Sequence, residues 1–191
     1  YTIVEGDSLT LDASGSSDAD GDALTYSWDI NGDGTFGDAT GVNPTLTKAQ
    51  LTSLGITNGT ASFNVTVRVD DGKGHIVSST ATTFTFNNAP PVATISGPTS
   101  ATKDEVLTFT LGATDASSSD TSAGFTWKID WDGDGAFDQE VTGTSTQTVT
   151  HTFTAGCPAV VKVQAIDQDG GQSEIVTLQI NIEGVNLVDG T

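Results

Sequence analysis

The sequence has one cysteine, no methionine, two histidines and only six basic residues among 191. Each scarcity excludes something. Cys157 alone can form neither an intramolecular disulfide nor a cysteine-based zinc site, and it reads as a small buried or partly buried hydrophobe rather than a reactive or intermolecular thiol. His75 and His151 leave few general bases, and no G-x-S-x-G elbow, H-E-x-x-H helix or phosphate-cradling glycine loop accompanies them. The chain is therefore expected not to be an enzyme, and His151, mid-strand in "VTHTFT", is expected to face the Phe153 side of a sheet. Six basic residues against 25 acidic ones give a formal charge of −19, which argues against nucleic acid and anionic membrane surfaces as partners and for a cation. No apolar run approaches the roughly 18 residues of a membrane span, so no membrane insertion is expected from this stretch. A chain that starts at Tyr1 without methionine reads as a piece of a longer polypeptide. Helical periodicity is nearly missing too: "KAQLTSLG", Lys48 to Gly55, is the one candidate, for a turn or two.

What is abundant is strand alternation. Leu9, Leu11 and Ala13 alternate with polar residues, as do Leu24, Tyr26, Trp28 and Ile30, and again Phe63, Val65, Val67 and Val69. Later segments repeat the pattern: Leu107, Phe109 and Leu111, then Phe125, Trp127 and Ile129, then Val161, Val163 and Ala165. "VRVDDGKGH" corresponds to "VQAIDQDGG" at a separation close to 96 residues, Asp71 against Asp167. "LTYSWDINGDGTFGD" corresponds to "GFTWKIDWDGDGAFDQ" when two residues are inserted. The break falls in "FNNAPPVATISGP", where Pro90 and Pro91 interrupt any ladder within a short linker at 87–91. The expectation is an all-β chain of two tandem immunoglobulin-like antiparallel β-sandwiches, residues 1–88 and 89–191. Trp28 and Trp127 are expected as core anchors, and Trp131, between two aspartates, as an exposed aromatic.

The acidic residues are clustered. Asp130, Asp132, Asp134, Gly135 and Asp138 follow the first nine positions of an EF-hand loop, in which alternate carboxylates converge and the glycine permits the turn. Position twelve is Val141, with Glu140 one place early. Hard oxygen ligands favour Ca2+ over transition metals. The first module carries a reduced version in Asp29, Asn31, Asp33, Gly34 and Asp38, and a second cluster in Asp18, Asp20 and Asp22. A further set, Asp70, Asp71, Asn87 and Asn88 with Asp115 or Asp120, is expected near the module boundary. Two readings stay open for all of these: Ca2+ ligands, or turns in which Asp and Gly satisfy backbone groups themselves.

Tyr26-Ser27-Trp28-Asp29 with Gly32-Asp33-Gly34 resembles the PKD (polycystin-repeat) family of immunoglobulin-like modules, whose signature is an aromatic-x-Trp-Asp strand running into a Gly-Asp-Gly loop. In the second module Phe125-Thr126-Trp127 and Gly133-Asp134-Gly135 are similar, with Lys128 in place of the Asp. "SDADGDALTYS" and "NNAPP" also resemble cadherin-type repeats, although Asn87 and Asn88 replace that family's acidic linker residue. The resemblance implies a secreted or cell-surface protein, with structural or adhesive modules stabilised by Ca2+ and flanked by neighbouring modules of the same polypeptide. A protein or glycan partner is the further expectation. The alternative is an accessory carbohydrate- or protein-binding module of a secreted hydrolase, with Trp131 on the ligand.

Overall fold

A computed structural model of the chain describes residues 1–184. It divides into two compact units, the first Tyr1–Ala89 and the second beginning at Pro90. The first contains β1 (Thr2–Val4), β2 (Leu9–Thr10), β3 (Thr25–Asp29), β4 (Ala39–Thr40), β5 (Thr45–Leu46), α1 (Lys48–Ser53), β6 (Ala61–Asp70), β7 (Ile76–Ser78) and β8 (Thr82–Asn87). The second contains β9 (Val92–Ser96), β10 (Ser100–Thr102), β11 (Val106–Thr114), α2 (Ser118–Ala123), β12 (Phe125–Asp130), β13 (Gln139–Gly143), β14 (Thr146–Thr152), β15 (Ala159–Ile166) and β16 (Val176–Glu183).

The second unit is a two-sheet sandwich. One sheet has the order β10-β16-β15-β12-β13 and the other β14-β11-β9. Period-two alternation turns Leu107, Phe109 and Leu111 toward Trp127, Ile129 and Val163, and all six are buried in one cluster. The first unit repeats this with a reduced second sheet: β1-β8-β6-β3-β4, with β7 also on β6, faces only the two-stranded β2-β5. Its core holds Leu9, Leu11, Trp28, Ile30, Val65 and Phe84. Among the described residues pairing is antiparallel except once per unit, where β1 runs parallel to β8 and β10 parallel to β16.

Lys48–Ser53 is helical, and a capping box at Thr47 starts it: the hydroxyl accepts from the Gln50 N–H while the Gln50 side chain accepts from the Thr47 N–H. Leu51 is the face that this short helix buries. Cys157 departs from expectation. It is exposed, in the bend between β14 and β15 beside Pro158, where no strand turns it inward.

Candidate metal centre

The Asp-Gly turns are built by backbone amides reaching for carboxylates. In the first unit both oxygens of Asp29 are used, Oδ1 accepting from Gly32 N–H at 2.8 Å and Oδ2 from Gly34 N–H at 2.9 Å. In the second, Asp130 accepts from Gly133 N–H at 2.6 Å and Gly135 N–H at 2.9 Å. Asp29 stands opposite Thr66 across the ladder, and Asp130 opposite Lys162. These equivalences correct the alignment expected from sequence: Asp130, not Lys128, takes the place of Asp29, and no residues are inserted between strand and loop. What changes is the order of two core side chains. The first unit reads Trp28-Asp29-Ile30 and the second Ile129-Asp130-Trp131, so tryptophan and isoleucine exchange places around the aspartate, and all four are buried.

That exchange overturns the exposed reading of Trp131. The ring is 4% exposed and stacks on His151 at 4.3 Å between centroids, with Phe109 at 5.3 Å; its Nε1–H donates to Gln139 Oε1 at 2.9 Å. It is a core side chain rather than the exposed aromatic on which the carbohydrate-binding alternative rested. His151 faces Phe153 as expected, at 4.7 Å. Burial lowers its pKa, and the nearby charge of Asp138 raises it by less, so the net shift is downward.

The rest of each loop follows one scheme. Asp38 Oδ2 accepts from Ile30 N–H and Asp138 Oδ2 from Trp131 N–H, both at 2.7 Å. The first loop spends one more residue on the return, Gly37. Asn31 and Asp132 accept from the N–H two residues on, each at 3.1 Å. Asp33 and Asp134 do the same at 2.7 Å, and the Thr35 N–H bond is the chief reason the Asp33 carboxyl lies below its ordinary range. Gly32 and Gly133 hold φ of +75° and +79°, and a Cβ on Gly133 would meet the Val160 carbonyl oxygen at 2.9 Å.

The two loops differ in charge. In the second unit Asp130, Asp132 and Asp138 each bring one carboxylate oxygen within 4.8 Å of the others. Beside them the Lys162 ammonium lies 3.2 Å from Asp130 Oδ2 and donates to the Gly133 carbonyl at 2.5 Å. Burial pushes the Asp130 carboxyl up, but the Gly135 and Gly133 amides and Lys162 together outweigh it and hold the pKa low. Asn31 and Thr66 stand where the second unit has Asp132 and Lys162, and among the described residues the first loop gathers no such trio. One added negative charge is thus matched by one added positive charge at register-equivalent positions. The lysine is the participant that sequence reading missed, because only the ladder brings residues 32 apart together.

Other expected ligands fall elsewhere. Glu140 lies on β13, opposite Lys128. Asp18 Oδ1 accepts from the amides of Asp20 and Asp22 at 2.9 and 3.0 Å, closing its own turn. Asp70 accepts from Gly72 N–H, and Asp71 from Lys73 N–H, His75 N–H and the His75 ring at 2.7 Å; the Lys73 amide is the main cause of its lowered pKa. The Asn88 N–H donates to Thr60 Oγ1 at 3.2 Å. Asp115 accepts from Ser117 N–H at 2.7 Å, and Asp120, buried on α2, brings a carboxylate oxygen within 4.8 Å of one of Asp115's, so these two expected residues do converge.

Fold and loops together define tandem immunoglobulin-like β-sandwich modules with Asp-Gly turns. The chain belongs to the PKD domain family, whose model matches residues 1–86 and again 88–182. No curated protein matches it significantly. Among solved structures it is similar to the PKD domain of an M14-like peptidase from a Thermoplasmatales archaeon (23% identity, 50% of this chain and 97% of that one, TM-score 0.42). It is also similar to the fibronectin(III)-like modules of Clostridium thermocellum CbhA (13%, 100% and 93%, 0.43) and to the amphioxus IgVJ-C2 molecule (15%, 95% and 99%, 0.45).

Proposed function

We propose that the chain is a non-catalytic structural or adhesive segment of a larger secreted or cell-surface protein, and that the acidic loop of its second unit holds Ca2+ weakly. The observation that carries the reading is the charge left at Asp130, Asp132 and Asp138. Three carboxylates against one lysine, −3 + 1, leave −2 within reach of a single divalent ion. Asp130 is committed to two amides and Lys162, so Asp132 Oδ2 and Asp138 Oδ1, which the turn leaves unused, are the oxygens that would hold the ion. Hard oxygens suit Ca2+, and two of them with water filling the remaining positions suit a dissociation constant toward the upper end of the roughly 10⁻⁴ to 10⁻³ M range of extracellular modules. The loop would then be tightened by Ca2+ rather than folded by it, because the amides and Lys162 already compensate Asp130. Membership of the PKD family and the repetition of one β-sandwich module support the structural role.

Ca2+ titration followed through the amide shifts of residues 130–138 tests this. The expected result is saturable shifts there, with both units still folded in chelator. Unchanged spectra at millimolar Ca2+ would refute the metal site, and unfolding in chelator would show that the loop depends on metal far more than proposed.

A further inference from the structure

We propose that the outer edge of β7, with the apolar recess behind Val77, is a docking site for an extended basic segment of a partner protein. It is separate from the acidic loop of the second unit and does not depend on the Ca2+ reading. The edge itself is the first observation. β7 pairs with β6 on one side, and among the described residues no strand lies on the other. Ser79 N–H donates to the Val67 carbonyl and Asp71 N–H to the His75 carbonyl. By the alternation of an antiparallel ladder, Val77 then bonds inward to Val69, while Ile76 and Ser78 turn their N–H and C=O groups outward. Ile76 and Val77 are 56% and 67% exposed. β7 is only three residues long, but it carries two exposed β-branched residues and none of the charges or prolines that usually guard an edge.

The recess is the second observation. A cavity of about 300 Å³ lies behind this edge, lined by Leu24, Val67, Val69 and Val77, with Asp18 and Asp71 also in its wall. It has room for one or two aliphatic side chains. In the second unit the equivalent positions, Phe125, Val163 and Ala165, are fully buried, and the segment ahead of Phe125 folds into α2. In the first unit Ser14–Ala23 forms turns only, and Leu24, Val67 and Val69 stay half-exposed. The aliphatic side chains that the second unit buries at these positions stay partly open in the first.

Charge identifies the occupant. Asp18 is followed by Asp20 and Asp22, whose amides hold it, and the whole chain carries −19. A strand added to β7 would place every second side chain in the recess and its flanking residues near the Asp18 and Asp71 carboxylates of its wall, the latter already shared with His75, so alternating aliphatic and Lys or Arg residues fit while acidic ones are repelled.

Amide chemical shifts read the test, with capped Lys-Val-Lys-Val-Lys-Val as probe and Glu-Val-Glu-Val-Glu-Val as control. The expected result is shifts at Val67, Val69, Ile76 and Val77, with affinity at least about tenfold above the acidic peptide. Val77→Lys, at an exposed position, should leave the unfolding midpoint unchanged and weaken binding about tenfold. Should that variant fold poorly, Asp18→Asn reads the charge contribution alone and should also weaken the basic peptide. Absence of binding, shifts scattered over every acidic loop, or affinity unaffected by both variants would overturn the proposal. So would dimerisation of the chain that Val77→Lys abolishes, since the occupant would then be a second copy.

Discussion

Asp130 combines burial, two amide bonds and an ion pair, and the balance among them can be measured. Its side chain is 1% exposed, whereas that of Lys162 is 27% exposed. Removing the carboxylate strands two amides and leaves the Lys162 ammonium with the Gly133 carbonyl as its remaining partner, so Asp130→Ala should cost the second unit about 3 kcal/mol or more. Lys162→Met leaves the amide bonds intact and should cost only about 1–2 kcal/mol. Denaturant unfolding of both variants and the double variant checks this; equal costs would mean that charge pairing, not the amides, holds the loop. The lowered Asp130 pKa also fixes a sign. Its stabilisation is complete well above 3.8, the ordinary value, and is lost as the pH falls through the lower folded value. His151 acts at milder pH. Its depressed pKa means that the folded state favours the neutral ring, so stability is present above the ordinary 6.5 and declines as the pH falls below it. The second unit should therefore lose stability as the pH falls below the ordinary 6.5, while His151→Phe, which keeps a ring on Trp131, should lack that loss. A midpoint that falls equally in both proteins would remove His151 as the cause.

Among the elements, strands could be read from sequence and their partners mostly could not. The alternation at Val161, Val163 and Ala165 points inward because period two leaves a single buried face, and the same holds for Leu107, Phe109 and Leu111. Trp131 was legible by that rule, two residues beyond Ile129 on the same face, yet the aspartates on both sides made its neighbourhood read as solvent. α2 was hidden because Ser118–Ala123 has no apolar periodicity, and its start rests on Ser117, whose hydroxyl accepts from the amides of Ser119 and Asp120. Which aspartates converge was not legible, since that depends on how many amides each turn recruits. The turns themselves predict an asymmetry between two glycines. Gly133 and Gly135 both have positive φ, but a Cβ meets the Val160 carbonyl only at Gly133, with open space at Gly135. Gly135→Ala should cost about 1 kcal/mol and Gly133→Ala distinctly more. Thermal midpoints in the opposite order would mean that the approach to Val160 does not constrain the loop.

For the whole molecule the governing quantity is a charge of −19 on two small sandwiches. Self-repulsion of that size is screened over about 8–10 Å at physiological salt, so NaCl should raise the unfolding midpoints of both units. A bound Ca2+ adds something that screening cannot. At ten times its dissociation constant an ion stabilises the state that binds it by about 1.4 kcal/mol, which for a unit of this size is roughly 4–8 °C per kcal/mol. Of the two Asp-Gly loops, that of the second unit alone gathers three carboxylates among the described residues, so CaCl2 at matched ionic strength should raise the second unit's midpoint beyond the NaCl value and leave the first unit at that value. Asp132→Asn gives the second loop the residue found at Asn31 and should erase the excess while preserving the turn, because the amide oxygen can still accept from Asp134 N–H. An excess that survives this substitution would place the ion elsewhere. An equal rise in both units would reduce the effect of Ca2+ to general screening of an acidic surface.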